Sequence, residues 1–201
     1  MFPLFRKLDV ESFHCDVCNL AKHKRSTFPT NNNKRSSEPF HLIHSDIWGP
    51  SHVPNISDTC WFVSSIDECA RVFWIFLLKH ESNVSFVLPN FHNMIKNQFG
   101  VTIKGFWSDN ARDDFNQVLA PYFQHEGIIH ELSCVNTSQQ NGIVERKNDH
   151  LLDTTRTFLF KKHVPKSYWG EVVLTITHLT NQLPSRVPWI YFHRFILIWE
   201  P

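Results

Sequence analysis

The chain has no long apolar run. Its longest uninterrupted stretch, Val72 to Leu78, covers seven residues, against roughly 20 for a membrane-spanning helix, so no membrane role is expected. There is no excess of charge of one sign: 20 Lys and Arg face 19 Asp and Glu, a formal net charge of +1. Any nucleic-acid surface must therefore be local rather than a product of composition. The five cysteines are an odd number, and the opening residues Met1 to Lys7 lack the apolar core of a secretory signal. Both features favour a reduced, intracellular chain over a disulfide framework. No internal repeat occurs, and no Ser-His-Asp arrangement is evident.

What is present describes a globular protein with an aromatic interior, including 18 Phe and seven Trp in 201 residues. That length suits one well-cored domain with flanking pieces. Residues 24–38 are polar, with Pro29, three consecutive Asn and two Lys-Arg pairs, and read as a linker. Three apolar stretches rich in β-branched and aromatic residues follow: Phe40 to Trp48, Cys60 to Ile66 and Val72 to Leu78. Each predicts a strand, the last two forming a hairpin. Val84, Val87, Leu88, Phe91, Met94 and Ile95 recur at helical spacing, with Ser82 as N-cap and Pro89 as a kink or true first turn. A strand from Thr102 to Ser108, a helix around Phe115 to His125 and a strand at Ile128 to Glu131 come next. A polar loop from Ser133 to Asn141 leads into a helix from Gly142 to about Phe160. The last helix, Ser167 to Asn181, shows Trp169, Val172, Val173, Ile176 and Leu179 on one face. The order predicts an α/β domain, a mixed sheet flanked by helices, compatible with a ribonuclease H-like fold.

Three carboxylates stand where acidic residues are conspicuous. Asp46 lies inside the first strand, Asp109 directly after the fourth, and Glu145 in the first turn of the long helix. A carboxylate within a core strand requires hydrogen-bond partners or a cation. Three that converge can hold two divalent ions about 3.5–4 Å apart, the arrangement that stabilises both oxygens of a phosphoryl transfer. Taken singly, each also fits a strand-end turn or a favourable helix first turn.

Four blocks carry a resemblance: His44 to Pro50 (HSDIWGP), Ser108 to Arg112 (SDNAR), Gln139 to Asn148 (QQNGIVERKN) and Val164 to Glu171 (VPKSYWGE). In that order they resemble the integrase of copia-type LTR retrotransposons, particularly those of plants, over residues 39–186. The family signature is two Asp and a Glu with 35 residues between the second and third. Positions 110 to 144, which number 35, separate Asp109 from Glu145 here. The resemblance implies a catalytic triad of Asp46, Asp109 and Glu145 holding two Mg2+ or Mn2+ ions. It implies DNA as partner, met by Gln140, Asn141, Gly142, Arg146, Lys147 and Asn148, with Arg146, Lys147 and Asn148 at phosphates. It also implies a homo-oligomer when active and a nuclear location. Ser138 stands where the family usually has Pro, and Asp67 and Arg71 are expected to form a structural turn and salt bridge.

At the N-terminal side, Cys15 and Cys18 resemble the second half of the family's His-His-Cys-Cys zinc module. Residues 1–13 contain no His, and His14 and His23 fit the family spacing poorly, so the expectation is an unmetallated remnant without bound zinc. The organisation expected is a truncated zinc-module remnant and linker (1–38), an integrase catalytic core (39–186) and an unrelated tail (187–201), as in a fragment of an element. Two alternatives stay open. One is a decayed remnant that binds nucleic acid without catalysis. The other is a true ribonuclease H, which usually requires a fourth carboxylate and lacks the 35-residue spacing.

Overall fold

A computed structural model describes residues 36–108, 113–132 and 142–183, all within the second of two units into which the chain divides, Arg35–Pro201. At its centre lies strand β1, Leu42–Trp48, in which Ile43, His44 and Ser45 are all buried. A strand buried on both faces needs elements covering both, and the chain supplies them. β2 (Trp61–Asp67) and β3 (Phe73–Leu78) continue antiparallel on one side of β1. β4 (Gly105–Ser108) and β5 (Ile129–Leu132) join in parallel on the other, giving the order β3-β2-β1-β4-β5. β2 is buried from Phe62 to Asp67, the near-continuous burial of a strand packed on both faces. β5 is the edge, and Ile129 and Leu132 are exposed there.

Side chains alternate between two cores. Ile43, Val63, Trp74 and Phe106 pack with Leu88, Phe91 and Ile95 of α1 (Val84–Phe99) and with Leu119 and Phe123 of α2 (Asp113–Glu126). Phe62, Ile66, Phe73 and Ile75 pack on the opposite face with Val144, Leu151 and Leu152 of α3 (Gly142–Lys161) and Trp169 and Val173 of α4 (Trp169–Gln182). A fully buried side chain such as Phe91 contributes about 2–3 kcal/mol through removal from water. The two-layer covering is what forces a polar residue in β1 to find a specific partner.

The predicted elements all form, with shifted ends. β1 starts at Leu42 rather than Phe40, and β4 at Gly105 rather than Thr102. Ser82 is not the N-cap of α1: it sits in a 3-10 turn, Glu81–Asn83, and Asn83 takes that place. Pro89 lies inside α1. Leu179, placed by periodicity on the apolar face of α4, is 54% exposed. That face is completed by Thr177, whose hydroxyl donates to the Val173 carbonyl at 2.9 Å and so tolerates burial.

The loop between β1 and β2 is tied to the start of α4. Ile56 N–H donates to the Ser167 carbonyl at 2.9 Å, and Trp169 Nε1 to that of Val53 at 2.9 Å. Asn55 Oδ1 accepts from the N–H groups of Ser57 and Thr59, both at 2.9 Å. A Cβ on Gly170 would stand 2.5 Å from Asn55 Nδ2 and 3.0 Å from a Leu77 methyl, so glycine is required at that crossing. No helix among the described residues is long and apolar enough to cross a membrane.

Candidate active site

Asp46 sits in the second half of β1, half-buried. Its strand is locked to β2 by side chains as well as by the ladder: Ser45 Oγ donates to the Ser64 carbonyl at 2.7 Å, and Ser64 Oγ to the Asp46 carbonyl at 3.2 Å. Of the carboxylate itself, Oδ1 accepts from the following backbone N–H, Ile47, at 2.9 Å. Oδ2 accepts from Asn148 Nδ2 at 2.9 Å. The second bond spans 102 positions of sequence and joins the central strand to α3.

The sequence of α3 explains why Asn148 is there. Val144, Asn148, Leu151, Leu152 and Thr155 follow the three- and four-residue spacing of one helical face, and all are buried. An amide on that face must be hydrogen-bonded. Asp46 satisfies its nitrogen, while Asn148 Oδ1 is buried with no hydrogen-bond partner among the described residues. Glu145 lies three residues earlier, half-buried in the first turn of α3. At i, i+3 spacing it occupies the same flank as Asn148, so the helix that braces Asp46 also brings Glu145.

β4 runs beside β1, the last pair of their ladder being His44 with Trp107. It ends at Ser108, whose buried hydroxyl is 2.9 Å from His130 Nε2 on β5. Burial holds the His130 imidazole below its ordinary pKa, and Phe123 covers its ring at 4.8 Å. Asp109, Gln140 and Asn141 lie outside the described residues, as do Cys15 and Cys18.

The residues expected to meet DNA divide in three. Arg146 is exposed. Lys147 is half-buried, and burial first, then the Arg71 charge, lowers its pKa. Asn148, expected at a phosphate, is instead 4% exposed and engaged with Asp46; hydrophobic periodicity turned it inward. Around Gly142 a Cβ would meet, among the described residues, only an Arg146 guanidinium nitrogen at 3.9 Å, so no packing among them demands glycine there.

Asp67 is a structural aspartate, as expected. It is fully buried, with Oδ1 accepting from Phe40 N–H at 2.7 Å and Oδ2 from Ala70 N–H at 2.5 Å. Arg71, at φ 60°, closes the same turn by donating its N–H to the Asp67 carbonyl at 2.9 Å. Cys60 and Cys69 are free thiols.

The donor set around Asp46 suits a hard divalent cation, which takes oxygen ligands. A half-buried carboxylate stands beside a buried amide oxygen that no donor among the described residues satisfies, with Glu145 one turn away. Among the described residues no cluster of three or more His, Cys, Asp or Glu could hold a metal.

No family model matches the chain. It is 33% identical over 171 residues to the retrovirus-related Pol polyprotein from transposon TNT 1-94 of Nicotiana tabacum, covering 85% of this chain and 13% of that protein. It is 31% identical over 171 residues to the corresponding polyprotein from transposon RE1 of Arabidopsis thaliana, covering 85% and 11%. The chain thus spans little more than a tenth of the length of these relatives. Among solved structures it superposes on the HTLV-2 integrase catalytic core domain in complex with magnesium, with a TM-score of 0.51 at 15% identity over 75% of this chain and 92% of that one. It also superposes on a chain of the simian T-cell lymphotropic virus intasome in complex with the PP2A subunit B56 gamma, with a TM-score of 0.58 at 18% identity over 89% and 63%. At such identities the likeness is one of fold: a ribonuclease H-like mixed sheet flanked by helices.

Proposed function

The chain belongs with the retrovirus-related Pol polyproteins of plant copia-type transposons, and from that membership we propose that it is the catalytic core of their integrase. In this reading it trims the ends of element DNA and joins them to target DNA by metal-dependent phosphoryl transfer. The observation that carries the reading is the Asn148–Asp46 hydrogen bond, since it couples the central-strand carboxylate to the helix bearing Glu145. The β1–β4 ladder adds support, since it sets the strand of Asp46 beside the strand that ends at Ser108.

Asp46, Asp109 and Glu145 would hold two Mg2+ or Mn2+ ions, which supply charge neutralisation for the attacking and the leaving oxygen. The chain's own contribution is positioning. Ile47 N–H and the Asn148 amide fix both oxygens of Asp46, so that no carboxylate rotation is needed as the phosphodiester arrives. Asn148 is therefore a positioning residue. Exposed Arg146 meets backbone phosphates, and Lys147 adds positive charge near the same helix end. In the first reaction a water oxygen forms a bond to phosphorus as the bridging oxygen leaves and takes up a proton. In the second, the exposed 3′-hydroxyl attacks target DNA in the same way. No covalent protein intermediate is required. DNA is the partner, a homo-oligomer the working form and the nucleus the location of this activity.

The test is nicking and strand transfer on a short duplex carrying the element's end, with and without Mg2+ or Mn2+. Metal-dependent products, abolished by Asp46→Asn and by Glu145→Gln and reduced about 10–100-fold by Asn148→Leu, are expected. Duplex binding with no nicking under any metal would instead make the chain a non-catalytic nucleic-acid binder.

A further inference from the structure

The turn joining α3 to α4 gathers positive charge that no described carboxylate answers. Lys161, Lys162, His163 and Lys166 stand close together in sequence, and all are exposed. From Thr154 to Gly170 there is no aspartate or glutamate. Arg156 is engaged by Asp153 at 3.0 Å. Among the described residues no carboxylate pairs with Lys161, Lys162 or Lys166. On a chain of net charge +1 this is segregation of charge, not composition.

The turn is also rigidly built. Lys162 N–H donates to the Phe158 carbonyl at 3.0 Å, Val164 N–H to that of Leu159 at 3.0 Å, and His163 takes a left-handed φ of 53°. Tyr168 N–H donates to the Pro165 carbonyl at 3.0 Å, and the bonds from Ile56 and Trp169 described above brace the segment from the β1–β2 loop. Rings stand among these cations: Phe160 is 73% exposed and Tyr168 43%. The helix dipole favours cations at a C-terminal end and so explains Lys161 and Lys162. It explains neither Lys166, beyond Pro165, nor the exposed rings.

Lys161 is the last residue of α3 and Glu145 lies in its first turn. At 1.5 Å per residue they are about 24 Å apart, roughly seven base pairs of B-DNA. We propose that this turn is a second contact for duplex DNA, with Lys161, Lys162 and Lys166 on backbone phosphates and Phe160 and Tyr168 against the sugars. The proposal rests on the reading of the Glu145 end of α3 as a DNA-processing site. It adds a clamp roughly seven base pairs along the same duplex. Cations on a rigid base lose little freedom on binding, which favours this turn over a mobile basic tail.

The experiment uses the whole chain without catalytic metal. Binding to a duplex of about 30 base pairs is followed against NaCl concentration for the wild type, the triple variant Lys161→Gln/Lys162→Gln/Lys166→Gln, and the matching triple Arg variant. Three phosphate contacts predict that the Gln variant loses about 2.7 from the magnitude of the log K–log salt slope, since each contributes about 0.9. Its affinity should fall at least about tenfold near 0.15 M salt, with an unchanged melting temperature, while the Arg variant keeps the wild-type slope. A Gln variant with the wild-type slope overturns the proposal, as does equal loss in the Arg variant. A single strand competing as well as duplex overturns it too. If the wild type binds no duplex at any salt, the DNA reading itself fails. If the wild type binds and only the slope is insensitive, the clamp alone is lost.

Discussion

Asp46 and Asp67 lie on neighbouring strands of one sheet, yet the fold treats them differently. Asp67 is fully buried, and both of its oxygens accept main-chain N–H groups, from Phe40 and Ala70. Asp46 is half-buried, with one oxygen on the next backbone N–H and the other on the amide of Asn148, 102 positions away. Main-chain donors are part of the fold, so a carboxylate that serves them is a structural element. A carboxylate aimed by a side-chain amide from another element is oriented, and orientation matters where something must be bound. Both aspartates fall within residues 39–186, over which the resemblance extends, so that span does not separate them. Their donors do.

The largest expected effect follows from Asp67. Asp67→Asn replaces one acceptor oxygen by an NH2 group facing a buried N–H, and should cost about 3 kcal/mol of stability, read as a shift in the urea midpoint. A loss below about 1 kcal/mol would remove the distinction between the two aspartates. Gly170→Ala comes next. Its Cβ would press on Asn55 and Leu77, and the overpacking should cost about 2 kcal/mol. The same denaturation assay checks it, and a neutral result would mean that the β1–β2 loop yields freely.

A smaller effect is expected from pH. Burial lowers the folded-state pKa of His92 and of His130 below the ordinary 6.5. His92 Nδ1 is 2.8 Å from the Tyr122 hydroxyl and 3.9 Å from Glu126 Oε2, with Lys96 paired to the same carboxylate. The Lys96 charge lowers the His92 pKa further and Glu126 opposes it. Burial also raises the Tyr122 hydroxyl to about 12. With the folded pKa depressed, the unfolded chain binds more protons below pH 6.5, so stability falls as pH drops through 6.5 toward the folded values. Urea midpoints measured between pH 7.5 and 5.5 should decline, and His92→Phe should flatten part of that decline. The smallest stability effect belongs to Asp46→Asn, which on the proposed reading should change the midpoint in metal-free buffer by less than about 1 kcal/mol and abolish catalysis, because carboxylates gathered at a metal site repel one another without their ions. A loss as large as that of Asp67→Asn would make Asp46 structural as well.

The element order was legible because hydrophobic periodicity is local. Val84, Leu88, Phe91 and Ile95 declare a helix, and Val72 to Leu78 a strand, without reference to anything distant. The ends were less legible. The late start of β4 goes with main-chain bonds such as Ile129 N–H to the Lys104 carbonyl at 2.8 Å, which join segments apart in sequence, while the 3-10 turn before α1 is closed locally by Asn83 N–H on the His80 carbonyl at 3.1 Å. Of the candidate site, residue type and spacing marked Asp46 and Glu145. They did not reveal what held Asp46. The i, i+3 relation of Glu145 and Asn148 was visible in the sequence and gave the signal, but only the packing of α3 on β1 turned Asn148 inward. The Ser108–His130 pair had no comparable signal, since it joins two strands through a parallel ladder.

By itself, then, the order of residues determined which segments became strands and helices and which chemical groups were available, because propensity and periodicity act over a few neighbouring positions. Tertiary structure alone decided which aspartate became a fixture of the backbone and which was held by an amide. It alone exposed Leu179, made Gly170 obligatory and left Lys161, Lys162 and Lys166 without carboxylate partners among the described residues. Those outcomes depend on distances between elements dozens of residues apart, and hydrogen bonds and contacts at about 3–4 Å exist only once the sheet has brought the elements together.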